Sequence, residues 1–115
     1  MEKRFEISLL FDFYGELLTE KQKDIMDLYF NNDLSLSEIA EINNTSRQAT
    51  HDTIKTCEKM LLVYEEKLKL LNKDHKLKET LTNIISELDN LQIDIKDEKM
   101  NQLIYDIKAR ISENI

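Results

Sequence analysis

The chain has 115 residues, with 16 Lys plus Arg against 23 Asp plus Glu, one Gly, no Pro and one Cys. A net charge of −7 removes any bulk attraction to nucleic acid or an anionic membrane, so such binding would need a local patch. The scarcity of Gly and Pro leaves little turn chemistry for β-hairpins and none for a Gly-rich phosphate loop.

Helical periodicity then runs almost end to end, and an all-α fold follows. From Phe5, the apolar set Leu10, Phe13, Tyr14 and Leu17 recurs at helical spacing and predicts a first helix with one buried face, with Gly15 near its end. Thr19 and Gln22 have the spacing of a capping box, which starts a second helix whose buried side is Ile25, Met26, Tyr29 and Phe30. Asn31, Asn32 and Asp33 stop it, because their side chains favour turns. Ser35 and Glu38 form a second box, with Leu34 and Ile39 at hydrophobic-staple positions. Asn43 and Asn44 end that short helix, Asn being the usual substitute for Gly in a left-handed position. Thr45 or Ser46 caps the next helix.

From there Thr50, Ile54, Cys57, Leu61, Tyr64, Leu68 and Leu71 are spaced alternately four and three apart. This heptad seam predicts one continuous helix from about Ser46 to Leu71. Leu77, Leu81, Ile84, Leu88 and Leu91 repeat the spacing, and so do Met100, Ile104, Ile107 and Ile111 after an irregular stretch around Ile93 to Ile95. Two parts follow: residues 1–71, holding the N-terminal helix, the helix-turn-helix and the long helix, and residues 72–115, a helical extension packing on the same core or on a dimer partner. The second half of the long seam (Leu61, Tyr64, Leu68, Leu71) is the expected homodimer interface.

No catalytic constellation emerges. His51 and His75 are 24 positions apart, and no metal-ligating spacing, nucleophile elbow or nucleotide-binding loop is present. Lone Cys57 allows no intrachain disulfide and falls in the seam, where it reads as a packing residue. Paired carboxylates such as Glu65-Glu66 lie on solvated helix surface. The expectation is a non-enzyme without cofactor or metal. Met1-Glu2-Lys3-Arg4 begins no apolar leader and no run suits a membrane span, so a cytoplasmic protein without membrane insertion is expected.

The segment from Leu18 to Thr50, with Ser35-Leu36-Ser37-Glu38-Ile39-Ala40-Glu41 and Ser46-Arg47-Gln48-Ala49-Thr50 at its heart, resembles the helix-turn-helix of sigma factor region 4. Ala40 is the small residue such a crossing needs, and Ala49 and Ile54 would pack the second helix down. Asn43 and Thr45 stand where that motif has apolar residues, and Thr50 where Val is usual. On the outer face of the second helix, at about 100° per residue, Gln48, His51, Asp52, Lys55 and Lys59 point away from the seam, with Arg47 on its flank. These are the candidate contacts to nucleic acid or partner: Arg47, Gln48, His51, Lys55 and Lys59. Asp52 dilutes the positive footprint a groove-reading helix normally offers.

Over its length, through His51-Asp52, Ile54-Lys55 and the Tyr64-Glu65-Glu66-Lys67-Leu68 run, the chain resembles the YlxM-like family of small bacterial helix-turn-helix proteins. Members are encoded beside the signal recognition particle GTPase and its receptor. The resemblance therefore implies a regulatory or accessory protein of that pathway, binding a protein or RNA component of the particle. Sequence-specific DNA binding is the alternative that the sigma-like motif implies.

Overall fold

The computed structural model describes residues 2–115, and its described residues form six α-helices, one 3-10 turn and no strand. The helices are α1 (Lys3–Tyr14), α2 (Glu20–Phe30), α3 (Leu36–Ile42), α4 (Arg47–Leu68), α5 (Leu70–Asp94) and α6 (Glu98–Ser112). Two compact units result, Met1–Leu71 and Asn72–Ile115.

Local chemistry sets most boundaries of the first unit. Thr19 Oγ1 accepts from Gln22 N at 3.2 Å while the Gln22 side chain accepts from Thr19 N at 3.1 Å, a reciprocal capping box that starts α2. Ser35 and Glu38 do the same for α3, at 3.1 and 3.0 Å. The two hydrogen bonds from Ser35 hold the Glu38 carboxyl below its ordinary range. Asp33 and Asn44 adopt left-handed backbone, φ 53° and 51°, in the two connections. Short polar side chains tolerate that region better than other non-glycine residues.

The core is built from Ile7, Leu10, Phe11, Tyr14, Leu18, Ile25, Met26, Ile39, Ile54, Cys57 and Leu61. α4 is its spine, packed by α1, α2 and α3. Gly15 opens the 3-10 turn Gly15–Leu17, and a Cβ there would sit 2.9 Å from the Phe11 ring. Three expectations shift. Phe13 and Leu17 are exposed, and Ile7 and Phe11 take the inward positions on α1. Tyr29 and Phe30 are half-buried rather than buried. Ala49 is exposed, while Thr50 packs inward with its hydroxyl donating to Ser46 O at 3.3 Å. A buried hydroxyl satisfied within its own helix is compatible with a core position.

The largest departure is at Lys69. The predicted continuous helix is two helices, because Lys69 is left-handed, φ 56°, and its N–H donates to Glu65 O at 2.8 Å. The first amides of α5 are met by side chains from elsewhere. Leu70 N donates to Tyr14 Oη at 3.0 Å, and Leu71 N donates to Glu65 Oε1 at 3.0 Å. Tyr14 Oη in turn donates to Glu65 Oε1 at 2.6 Å. Without glycine, this break is held by tertiary contacts. Lys69→Gly should raise the stability of the first unit by about 0.5–1 kcal/mol by relieving the left-handed cost, read as a higher thermal midpoint. An unchanged or lower midpoint would contradict a strained Lys69.

The second unit is a helical hairpin. Asp97 caps α6 through Lys99 N at 2.9 Å. Asn101 Nδ2 donates to Ile95 O at 2.9 Å, Gln92 Nε2 donates to Asn101 O at 3.2 Å, and Lys108 pairs with Asp89. Ile104 is the buried apolar side chain here. Ile85 rather than Ile84 turns inward on α5, and Met100 is exposed. No helix among the described residues is long and apolar enough to cross a membrane.

Candidate nucleic-acid or partner interface

α3, the turn after it and the start of α4 form the helix-turn-helix. Ala40, nearly fully buried, allows the close crossing. Asn43 Nδ2 donates to Ile39 O at 3.1 Å, and Thr45 N donates to Ala40 O at 3.0 Å, so the turn's polar groups are used locally. Ser46, in extended backbone, caps α4 by accepting from Ala49 N at 3.0 Å. The first turn of α4 is thereby presented to solvent with its positive dipole end outward.

The five candidate residues share the outward face of α4. Arg47, Gln48, Lys55 and Lys59 are exposed, and His51 is half-buried. The face is not a simple cationic strip. Gln48 Nε2 donates to Asp52 Oδ1 at 2.9 Å, and the same oxygen lies 3.6 Å from His51 Nδ1, which has no hydrogen-bond partner among the described residues. Lys55 Nζ pairs at 3.4 Å with Glu58, whose side chain is only 12% exposed. Two of the candidate side chains are therefore engaged by carboxylates on the same helix, and Arg47 and Lys59 carry the positive charge outward.

A second cluster was not legible in the sequence. Arg4 of α1 lies over the Tyr29 and Phe30 rings, 4.6 and 4.9 Å from their centroids. Its Nη2 donates to Tyr29 O at 2.7 Å and to Asp33 Oδ1 at 3.2 Å. With Lys3, Lys55 and Glu58 it lines a shallow pocket beside α4. Twenty-five or more residues separate these partners, so no local spacing reports them. Arg4 acts as a clamp between the start of α1 and the end of α2.

Cys57 is fully enclosed, and burial followed by the nearby Glu58 charge pushes its thiol up, as suits a packing residue rather than a nucleophile. Among the described residues no group of three or more His, Cys, Asp or Glu converges to hold a metal ion. Of the four seam residues, Leu61 is completely buried in its own chain, Tyr64 lies 6.0 Å from the Tyr14 ring, and Leu71 packs against the same core. Leu68 is 45% exposed. Most of that seam serves the first unit.

The profile of a family described as "Putative helix-turn-helix protein, YlxM / p13 like", UPF0122, matches residues 1–104. The chain belongs to the UPF0122 family. A UPF0122 protein of Clostridium perfringens strain SM101 is 56% identical over 110 residues, covering 90% of this chain and 98% of the relative. UPF0122 proteins of Clostridium novyi and Clostridium kluyveri are 48% and 47% identical over 115 residues, with both chains fully covered in each case. The UPF0122 assignment and the α3–α4 geometry agree on a helix-turn-helix protein, and no enzymatic family is indicated.

Proposed function

We infer that this UPF0122 chain is an accessory protein of the signal recognition particle pathway, acting in the cytoplasm. On this reading it binds a protein or RNA component of the particle through the first half of α4. The YlxM-like resemblance supports the pathway. The mixed character of the α4 face supports the mode of action: Asp52 sits among the candidate contacts and holds Gln48, and Glu58 holds Lys55. A surface that alternates donors, cations and a carboxylate suits a partner of mixed polarity better than a uniform row of phosphates. The net charge of −7 points the same way.

A pull-down with the tagged chain, with and without nuclease, tests this. The particle's GTPase or RNA should co-purify, and Arg47→Ala, Gln48→Ala or Lys55→Ala should weaken the association about tenfold, as for a contact worth more than about 1 kcal/mol. No salt-sensitive duplex binding should appear near physiological ionic strength. Tight, sequence-selective duplex binding without particle association would defeat the proposal.

One observation favours the DNA reading: Arg47 and Gln48 stand exposed at the capped start of α4, where a groove-entering helix carries its base contacts. If so, Lys55→Ala should weaken all duplexes alike and lower the salt slope by about one. Arg47→Ala or Gln48→Ala should instead cost about 1–3 kcal/mol on the preferred site and relax its sequence choice.

A further inference from the structure

The α5–α6 hairpin leaves an apolar face uncovered. Leu77, Ile84 and Leu91, seven residues apart on α5, are 56%, 36% and 53% exposed. At about 100° per residue they fall within about 40° of one another, beside the arc of Leu81, Ile85 and Leu88 that turns toward α6. On α6, Met100 and Leu103 are 52% and 61% exposed, next to half-buried Ile107. The pairings Gln92 with Asn101 and Asp89 with Lys108 make the two helices antiparallel. In that arrangement the two offsets point to the same side of the hairpin. An open groove on the hairpin, lined by Leu77, Leu81, Ile107, Arg110 and Ile111, agrees.

We propose that this face is the homodimer interface, with the hairpins of two copies pairing face to face into a four-helix bundle. A unit of this size with one buried apolar side chain is near the limit below which small folds need oligomerisation. Two helices with a two-residue-wide apolar arc are half of a bundle core. Charge selects a second copy as the occupant. The outer edge of α5 carries exposed Glu87 and Asp94, and the outer edge of α6 carries exposed Lys99 and Arg110, with Asp106 between them accepting from Gln102 of its own helix at 2.9 Å. A two-fold axis parallel to the helices seats α5 of each copy over α6 of the other. It brings Asp94 level with Lys99 of the other copy, and Glu87 within a turn of the other copy's Arg110. Two oppositely charged pairs thus form and are repeated by the two-fold axis, as in an isologous interface, against one Asp106 already engaged by Gln102. The face is also separate from the seam of α4, most of which the chain's own core occupies.

Sedimentation equilibrium of the full chain across micromolar concentrations reads the assembly directly. The wild type should approach twice the 13.7 kDa chain mass. Leu91→Glu and Leu103→Glu, both at exposed positions, should weaken self-association at least thirtyfold while keeping the helical circular dichroism. Leu68→Glu, on the exposed end of the α4 seam, should leave the dimer intact. A concentration-independent monomer mass for the wild type overturns the proposal, as it would if the face were covered within one chain. So does a dimer that survives Leu91→Glu and Leu103→Glu, or one broken by Leu68→Glu alone.

Discussion

Leu61→Ala should destabilise the first unit by about 2–5 kcal/mol, the range for emptying a closed leucine site. Leu68→Ala, seven residues on along the same seam, should cost less than about 0.5 kcal/mol. The two side chains are chemically identical and occupy equivalent heptad positions. They differ in that Leu61 has no exposed surface and Leu68 is 45% exposed. Urea unfolding with matched slopes gives both numbers, and equal losses would mean that something else covers Leu68. The seam's periodicity cannot separate the two positions, because a heptad reports only that a stripe is apolar, not what faces it.

Tyr14→Phe should cost about 1.5–3 kcal/mol near neutral pH, the value of a hydrogen bond to a charged group. The substitution keeps the ring packed and removes one oxygen, which links Glu65 to the Leu70 amide at the break between α4 and α5. Burial, then the hydrogen bond to Glu65, raises the phenol above its ordinary 10.0. A raised folded-state value means the protonated phenol is favoured by folding. Its contribution is fully present below pH 10.0 and is lost as pH climbs through the higher folded value. The wild type's advantage over Tyr14→Phe, measured by chemical unfolding at a series of pH values, should therefore shrink above pH 10. An advantage undiminished well above that point would contradict the network.

Wherever the determinant lay within one turn of chain, it could be read directly. Thr19 with Gln22 and Ser35 with Glu38 form boxes three residues apart, and both boxes are present with their reciprocal bonds. Asn44 is left-handed in the turn, and Ser46 caps the helix that follows. The outward face of α4 was likewise legible, since helical geometry alone separates Gln48, Lys55 and Lys59 from Ile54, Cys57 and Leu61. The hydrogen bonds that temper that face, Gln48 to Asp52 and Lys55 to Glu58, span four and three residues and belong to the same local grammar.

The all-α fold, the caps, the helix-turn-helix and the outward face of α4 were thus determined by the sequence through short-range hydrogen bonding and side-chain periodicity. Tertiary structure decided the rest. On α1, Ile7 and Phe11 share the core face with Leu10 and Tyr14, while Phe13 lies about 100° off that face and Leu17 falls in the 3-10 turn beyond Tyr14. Lys69 ends α4 although no glycine or proline marks it, because Tyr14, 56 residues from Leu70, supplies the acceptor that the first amide of α5 needs. A helix end is stable only where its unpaired amides find partners, and when the partner comes from a distant helix no local pattern announces it.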